Sequence, residues 1–506
     1  MSQHVRHPSL EERTAQGLDA RERALPSSHA GWTPAPDRPD PVALIMEQNL
    51  RRDPDLVPVR HGRMKASPFT FYRGAAAIMA ADLEPTPTAG LDVQLCGDAH
   101  LSNFGVFGSP ERQLVFDIND FDETLPGPFE YDVKRLAASL TVAARNNGFT
   151  TSDARAITTA SVAAYRGAMA EFSAMRTLDI WYAHVTEEDL RRTGTALLGR
   201  AVTTDKAKDK DKAKAKGKAK DKDKAKEAGG ATAITAKEAR KLEKRFDKNA
   251  AKARSRDNLQ ALSKLTESVN GGRRIASAPP VVVPARELLA TYGLDPAVQE
   301  EIIVSQFREY RSTLQPDRRQ LLERFEVVDW ARKVVGVGSV GTRAFIVLLQ
   351  GRGEDDPLFL QIKEATRSVL EGPSRRSSFE QAGERVVQGQ RLMQATSDIF
   401  LGWTRGVEAD RYFYWRQLRD MKGSALVEQM SVEAMTFYAK ICGWTLARAH
   451  ARSGDPVAIA AYLGEDDSFD RSVTNFSERY AEQNERDFEQ FTEAIRSSRI
   501  EATEGV

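Results

Sequence analysis

Apolar residues recur at helical spacing over residues 133–182, which predicts two or three amphipathic helices. The same spacing over 431–452 predicts one long helix, and a charged helix is expected after 467. Between these blocks the period shortens. Residues 91–96, Gln113–Phe116, Ala344–Leu349, Leu358–Ile362 and Tyr412–Leu418 read as strands, and Pro279–Pro284 as an extended element. Residues 296–325 predict two short helices. Residues 236–268 predict one charged helix, and 377–396 a helix opened by a capping box, Ser377 to Glu380. From Val42 the pattern is helical, then basic over Arg60–Lys65. Ser67–Gly74 is aromatic and turn-rich, and Ala75–Leu83 is helix-like.

Two stretches carry no such pattern. Residues 1–40 are rich in Pro, Arg, Asp and Ser and are expected to be disordered or loosely attached. From Lys206 to Lys226 lysine occupies every even position, mostly with Ala, Asp or Gly between. Such a tract cannot bury apolar area and reads as a solvated linker or transient helix. Its interspersed aspartates dilute the charge that a tether to nucleic acid or anionic lipid would need.

At 506 residues the chain has room for two or more domains. A net charge of +1 gives no global attraction to nucleic acid. No run of about 18 apolar residues is present, so no membrane span is expected. Met1–His7 leads into a polar stretch rather than an apolar signal region. Cys96 and Cys442 are too few for a disulfide framework or a zinc site, and a cytoplasmic location is expected.

The acidic clusters stand at strand ends. Gly97-Asp98-Ala99-His100-Leu101-Ser102-Asn103 follows the strand 91–96, and Phe116-Asp117-Ile118-Asn119-Asp120-Phe121-Asp122-Glu123 follows Gln113–Phe116. Asp98 and Asn103 have the spacing of base and Mg²⁺ ligand in a kinase catalytic loop. Two oxygen-rich clusters suit a hard cation. Asp98 is therefore expected as the general base and Asn103 as a metal ligand. A lone Asp98 would read as a turn residue capping the backbone; the cluster favours chemistry. Asp117, Asp120 and Asp122 compete for the second metal position. Asp120 is expected to take it, with Asp117 as a brace and Asp122 as a second ligand or a cap. His100 is expected to brace the loop by bonding a carbonyl, or else to bind metal.

Gly336, Gly338 and Gly341 form a G-x-G-x-x-G with Ser339 and Arg343 in or beside it. A dinucleotide-binding turn would need a helix next and an acid about 20 residues on. Here a strand, a turn and a second strand follow, ending in Lys363. That context predicts a Gly-rich hairpin folded over phosphates, with Lys363 reaching their oxygens. A helix Glu should pair with such a lysine; Glu384 is expected, since Glu380 is taken by the capping box. Arg63 and Arg73 read either as phosphate contacts or as surface ion pairs. The order is inverted relative to an ordinary kinase, because the Gly-rich loop lies more than two hundred residues after the catalytic loop.

Phe69–Gly74, Gly97–Gly105, Phe116–Glu123, Gly338–Arg343 and Arg416–Lys422 resemble the bacterial domain-of-unknown-function family 2252 (DUF2252) over about residues 40–480. A more distant resemblance is to aminoglycoside phosphotransferases and choline kinases, which show a Gly-Asp-x-His-x-x-Asn loop and then an Asp and a Gly-Pro-x-x-x-Asp run. Gly127-Pro128-Phe129-Glu130-Tyr131-Asp132 matches the latter. This resemblance implies Asp98 as base, Asn103 and Asp120 as Mg²⁺ ligands, and Asp132 as a brace of the loop. It also implies that the helix ending at His450 precedes the catalytic loop in space.

The expected fold is α+β: a protein-kinase-like, aminoglycoside phosphotransferase-like two-lobed fold, circularly permuted, with helical additions. The expected parts are a tail (1–40), the catalytic-loop part of the large lobe (41–200), a Lys-rich insertion and charged helix (201–270), a small β-rich nucleotide-binding lobe (271–424) and a helical return (425–506). The expected activity is ATP- and Mg²⁺-dependent phosphoryl transfer to a small-molecule hydroxyl or amine. One alternative is a nucleotide-binding pseudoenzyme that acts through a partner. Another is a metal-dependent phosphoesterase with Asp98 and His100 as ligands, a class that wants a further motif such as Gly-Asn-His, which the chain lacks.

Overall fold

Helices Phe129–Asn146, Thr151–Ser173, Val432–Ser453, Pro456–Leu463 and Ser468–Arg496 bury their apolar faces in one core, together with Phe69, Tyr72, Leu101 and Phe121. This large lobe therefore joins the first part of the chain to the last, across everything between. The computed structural model describes residues 7–192, 244, 247–269, 272–292, 296–334, 336–353, 355–372, 375–408, 410–418 and 421–505. The Lys-rich tract 205–226 lies outside them. No helix among the described residues is long and apolar enough to cross a membrane.

The large lobe carries short strands on its inner side. β1 (Asp92–Leu95) pairs with β4 (Leu125–Pro128), and β2 (Phe104–Gly108) forms a hairpin with β3 (Leu114–Ile118). β5 (Val185–Thr186) flanks β3. A separate hairpin, β6 (Thr266–Val269) and β7 (Gly272–Ile275), precedes the small lobe.

The small lobe is an antiparallel sheet of β8 (Val282–Pro284), β9 (Glu326–Lys333), β10 (Ala344–Gln350), β11 (Pro357–Ala365), β12 (Gly402–Arg405) and β13 (Tyr412–Gln417), in the order β12-β13-β11-β10-β9-β8. Its β10 reads as an unbroken apolar run because both faces are covered. Val347 and Leu349 pack with Phe307, Tyr310 and Trp415, while Ile346 and Leu348 pack with Leu262 and Ile275. β14 (Gly423–Ser424) then pairs with β2 and returns the chain to the large lobe.

Four local expectations are corrected. Residues 10–23 are a helix opened by a capping box between Ser9 and Glu12, and Arg21 ties it to the carbonyls of Tyr462 and Leu463 at 2.8 and 2.7 Å. The polar composition of this segment conceals a docked helix. The Ser67–Gly74 stretch is a helix over Pro68–Gly74, capped by Ser67 and Thr70. The charged stretch 236–268 is not one helix in its described part: Asp257 caps a new helix, Asn258–Leu265, and β6 follows. The helix at 377–396 begins only at Ala382, because Ser377 bonds the backbone of its own turn at Phe379.

Glu130, fully buried on the first turn of Phe129–Asn146, accepts from the Ala89 N–H at 2.6 Å. Burial pushes its pKa from about 4.5 up to about 7. Between those values the folded protein holds a proton that the unfolded chain has lost. The stability it contributes is therefore present at acid pH and is lost as pH rises toward 7. Glu130→Gln keeps the acceptor and removes the titration. Its melting temperature relative to wild type is expected to rise by a few degrees from pH 5 to pH 8; a pH-independent difference in thermal melts would show that Glu130 is ionised throughout.

Candidate functional site

After β1 the chain turns at Gly97 (φ +85°), where a Cβ would lie 2.2 Å from the Glu123 carbonyl oxygen, so only glycine fits. The loop that follows is held by one stripe of the Phe129–Asn146 helix. Asp132, Arg135 and Ser139 are three and four residues apart and share a face. The Asp132 carboxylate accepts from the N–H groups of Cys96 and Gly97 at 2.8 and 3.0 Å. Arg135 Nε donates to Asp98 Oδ1 at 2.8 Å, and Ser139 Oγ accepts from the Leu101 N–H at 3.0 Å. The Arg135 guanidinium also stacks on Tyr72, 3.9 Å from the ring centre. Asp132 sits where the helix dipole favours an anion, and His450 approaches it to 3.3 Å from the end of Val432–Ser453. Asp132 thus braces the loop.

The β2–β3 hairpin brings the two acidic clusters together. Phe104 pairs with Ile118, and the Asn119 N–H donates to the Asn103 carbonyl at 2.7 Å. Asn103 Nδ2 donates back to the Asp98 carbonyl at 2.8 Å. Phe121 is buried in the main core, which leaves Asp120 and Asp122 facing away from it. The three aspartates are then separated by their partners. Asp117 accepts from Arg448 and from the N–H groups of Ile118 and Ala395, as a brace should. Asp122 spends both oxygens, on Lys363 Nζ at 2.5 Å and Tyr414 OH at 2.7 Å. Asp120 has looser partners, the Asp122 N–H at 3.3 Å and Lys363 at 3.8 Å. Burial works to raise its pKa, but Lys363, Arg416 and Lys422 outweigh it and hold the carboxyl below its ordinary value.

A cleft of about 400 Å³ lies where the lobes meet. Asp98, Asn103, Asp120, Asp122 and Glu123 line it from the large lobe, and Gly338, Ser339 and Thr342 from the Gly-rich loop. The loop tip rests on the large lobe. Gly341 (φ +85°) accepts from the Asp53 N–H at 2.8 Å, and a Cβ on Gly338 would lie 3.0 Å from the Arg73 carbonyl oxygen. Arg51, Arg52, Arg60, Arg73 and Arg367 are also in the lining.

Other predicted residues stand elsewhere. Gly336 lies outside the lining, and its carbonyl takes a hydrogen bond from Arg63 at 2.6 Å. Arg343 turns to Glu408 at 2.8 Å and Asp53 at 3.6 Å. Lys363 is on the second strand after the loop, opposite Ala344, but it is buried behind Asp120 and Asp122 and does not line the cleft. The expected Lys363–Glu384 ion pair is absent among the described residues. On the helix that begins at Ala382 the inward residue is Arg385, which bonds the carbonyls of Asp122, Thr124 and Thr366. His100 does not bond a carbonyl through its ring either. Its Nε2 is 3.7 Å from Asp98, its Nδ1 is buried without a partner, and burial pulls its pKa to about 3, so it is neutral.

Among the described residues no three His, Cys, Asp or Glu side chains form a ready metal cluster. Magnesium does not need one, since it keeps several waters and takes one or two carboxylates plus substrate phosphates. Asp120 and Asn103, one hairpin rung apart, offer oxygen donors of that kind. Arg135 escaped the sequence reading, although its spacing from Asp132 on a predicted helix was visible.

Comparison with curated proteins and with solved structures gives no match. A family model described as an uncharacterized protein conserved in bacteria (DUF2252) matches residues 52–240 and 211–494, most of the sequence, and the chain belongs to that family.

Proposed function

We propose that this chain is an ATP- and Mg²⁺-dependent phosphotransferase of permuted kinase-like design, acting on a small-molecule hydroxyl or amine. One observation carries the reading: Gly338, Ser339 and Thr342 share a cleft with Asp98, Asn103 and Asp120, which lie more than two hundred residues earlier. Phosphoryl transfer asks for little else, because its catalysis is positioning and charge stabilisation around a loose transition state. In this reading Asp98, aimed by Arg135, accepts the acceptor's proton. Asp120 and Asn103 hold Mg²⁺, which when bound neutralises phosphate charge. The Gly-rich loop covers the phosphates, and Lys363 fixes Asp120 and Asp122. The permutation is supported by the end of Val432–Ser453, where Ser453 Oγ accepts from the Gln94 N–H of β1 at 3.1 Å. A helix end beside β1 fits the position such a helix would hold before the catalytic loop of an unpermuted kinase.

A nucleotide-binding protein without turnover is the second reading, favoured by Lys363 being paired with Asp122 rather than with Glu384. Calorimetry with ATP tests the shared claim. Binding is expected to require Mg²⁺ and to weaken about tenfold or more in Lys363→Met, which leaves two carboxylates unbalanced. No binding with or without Mg²⁺ would end both readings; binding without turnover against a panel of hydroxyl and amine acceptors would favour the second.

A further inference from the structure

Three arginines at the cleft form no ion pair among the described residues. Arg60 is 1% exposed. Its guanidinium donates only to neutral acceptors, Asn49 Oδ1 at 2.6 Å, Gln48 Oε1 at 2.9 Å and the Gly74 carbonyl at 3.1 Å, and its Nε is buried without a partner. Arg52 donates to the Val340 carbonyl at 2.5 Å, with its Nε likewise unpartnered. Arg73 makes no hydrogen bond to protein among the described residues, and its Nε is buried too. A buried cation without a counterion is costly. Four of the five acids lining the cleft bond other groups, Asp98 to Arg135, Asp122 to Lys363, Glu364 to Arg411 and Glu123 to the Val369 N–H, and the fifth, Asp120, faces Lys363 at 3.8 Å. No described carboxylate pairs with Arg52, Arg60 or Arg73, which leaves them able to take an anion from outside the chain.

A second feature converges on the same place. The helix Ala76–Leu83 opens at the cleft, and Ala75 at its cap supplies no side-chain hydrogen bond. Unsatisfied N–H groups at a helix start attract anions. The guanidinium fork matches phosphate oxygens in particular.

We propose that Arg52, Arg60 and Arg73, with the first turn of Ala76–Leu83, form an anion subsite that takes a phosphate group. That group is either the terminal phosphate of the nucleotide or a phosphate carried by the acceptor. The affinity for phosphate stands without the phosphotransferase reading; only the naming of the occupant rests on it.

Calorimetric titration of inorganic phosphate into the full chain, in chloride-poor buffer without Mg²⁺, tests the subsite. Saturable one-to-one binding is expected, weakened about tenfold or more by Arg73→Gln and by Arg52→Gln. Arg176→Gln, at an exposed arginine paired with Asp179, should leave it unchanged. Arg73→Lys, which keeps the charge and loses the fork, serves if the glutamine variant does not fold. The titration is then repeated with Mg²⁺ and a saturating non-hydrolysable ATP analogue. Retained phosphate binding assigns the subsite to an anionic acceptor, and lost binding assigns it to the nucleotide. Phosphate binding in a protein that never binds nucleotide would sink the phosphotransferase and leave the subsite standing. No phosphate binding, or binding indifferent to both Arg52 and Arg73, overturns the subsite.

Discussion

Asp98→Asn is expected to slow phosphoryl transfer about a thousandfold while changing Mg²⁺–ATP affinity by no more than about threefold. The asymmetry follows from what the carboxylate touches. Its Oδ1 is held by Arg135 Nε at 2.8 Å, and its main chain is fixed by Asn103, so the side chain is aimed rather than free. An amide of the same shape keeps those contacts in part but cannot take a proton from an acceptor. In the proposed reading nucleotide affinity rests, by contrast, on the Gly-rich loop and on Asp120. Arg135→Gln should give a smaller loss, about tenfold to a hundredfold, because in that reading it only orients the base. ADP release measured with an acceptor panel, beside calorimetry on the same preparations, separates these outcomes. Asp98→Asn turnover within about tenfold of wild type would remove Asp98 from the role of base.

The elements of this site were legible where they were local. The Asp98–Asn103 spacing, the strand before it and the acidic strand end at Asp117–Glu123 are short-range patterns, and the β2–β3 hairpin joins them as neighbours. The two strands after the Gly-rich loop were legible for the same reason. What escaped was set by register or by distance. Glu384 was expected inward from a helix start at Ser377, but Ser377 caps its own turn, the helix starts at Ala382, and Arg385 takes the inward place. Lys363 was expected to face phosphates, yet two carboxylates from a segment far earlier in the chain, Asp122 being 241 residues away, hold it first. Arg60 stood in the sequence only as the first residue of a basic run; its burial is set by packing that the run does not show, with hydrogen bonds to Asn49, Gln48 and the Gly74 carbonyl. The helix at 10–23 did carry a local sign, since Ser9 and Glu12 spell a capping box, but its polar composition outweighed it.

Asp117 and Asp120 stand three residues apart and should fail in opposite ways. Asp117 and Arg448 are each 1% exposed in side chain and pair inside the core, and Arg448 also donates to the Met393 carbonyl at 2.6 Å. One buried pair thus pins β3, the end of the Ala382–Met393 helix and the Val432–Ser453 helix, three segments the chain order keeps far apart. Asp117→Asn leaves a buried guanidinium without its counterion, which costs about 3–5 kcal/mol. The expected result is a melting temperature several degrees lower, with Mg²⁺-dependent ATP binding retained by the folded fraction. Asp120 faces the cleft with its side chain 31% exposed, and Asp122 stays on Lys363 at 2.5 Å when Asp120 is replaced. Asp120→Asn should leave the melting temperature within about 2 °C of wild type and abolish the Mg²⁺ dependence of ATP binding. Thermal melts and paired calorimetry with and without Mg²⁺ read both. If Asp120→Asn kept its Mg²⁺ dependence, the metal would have to sit on Asp122, and the bond from Lys363 to that carboxylate would have to open when the nucleotide binds.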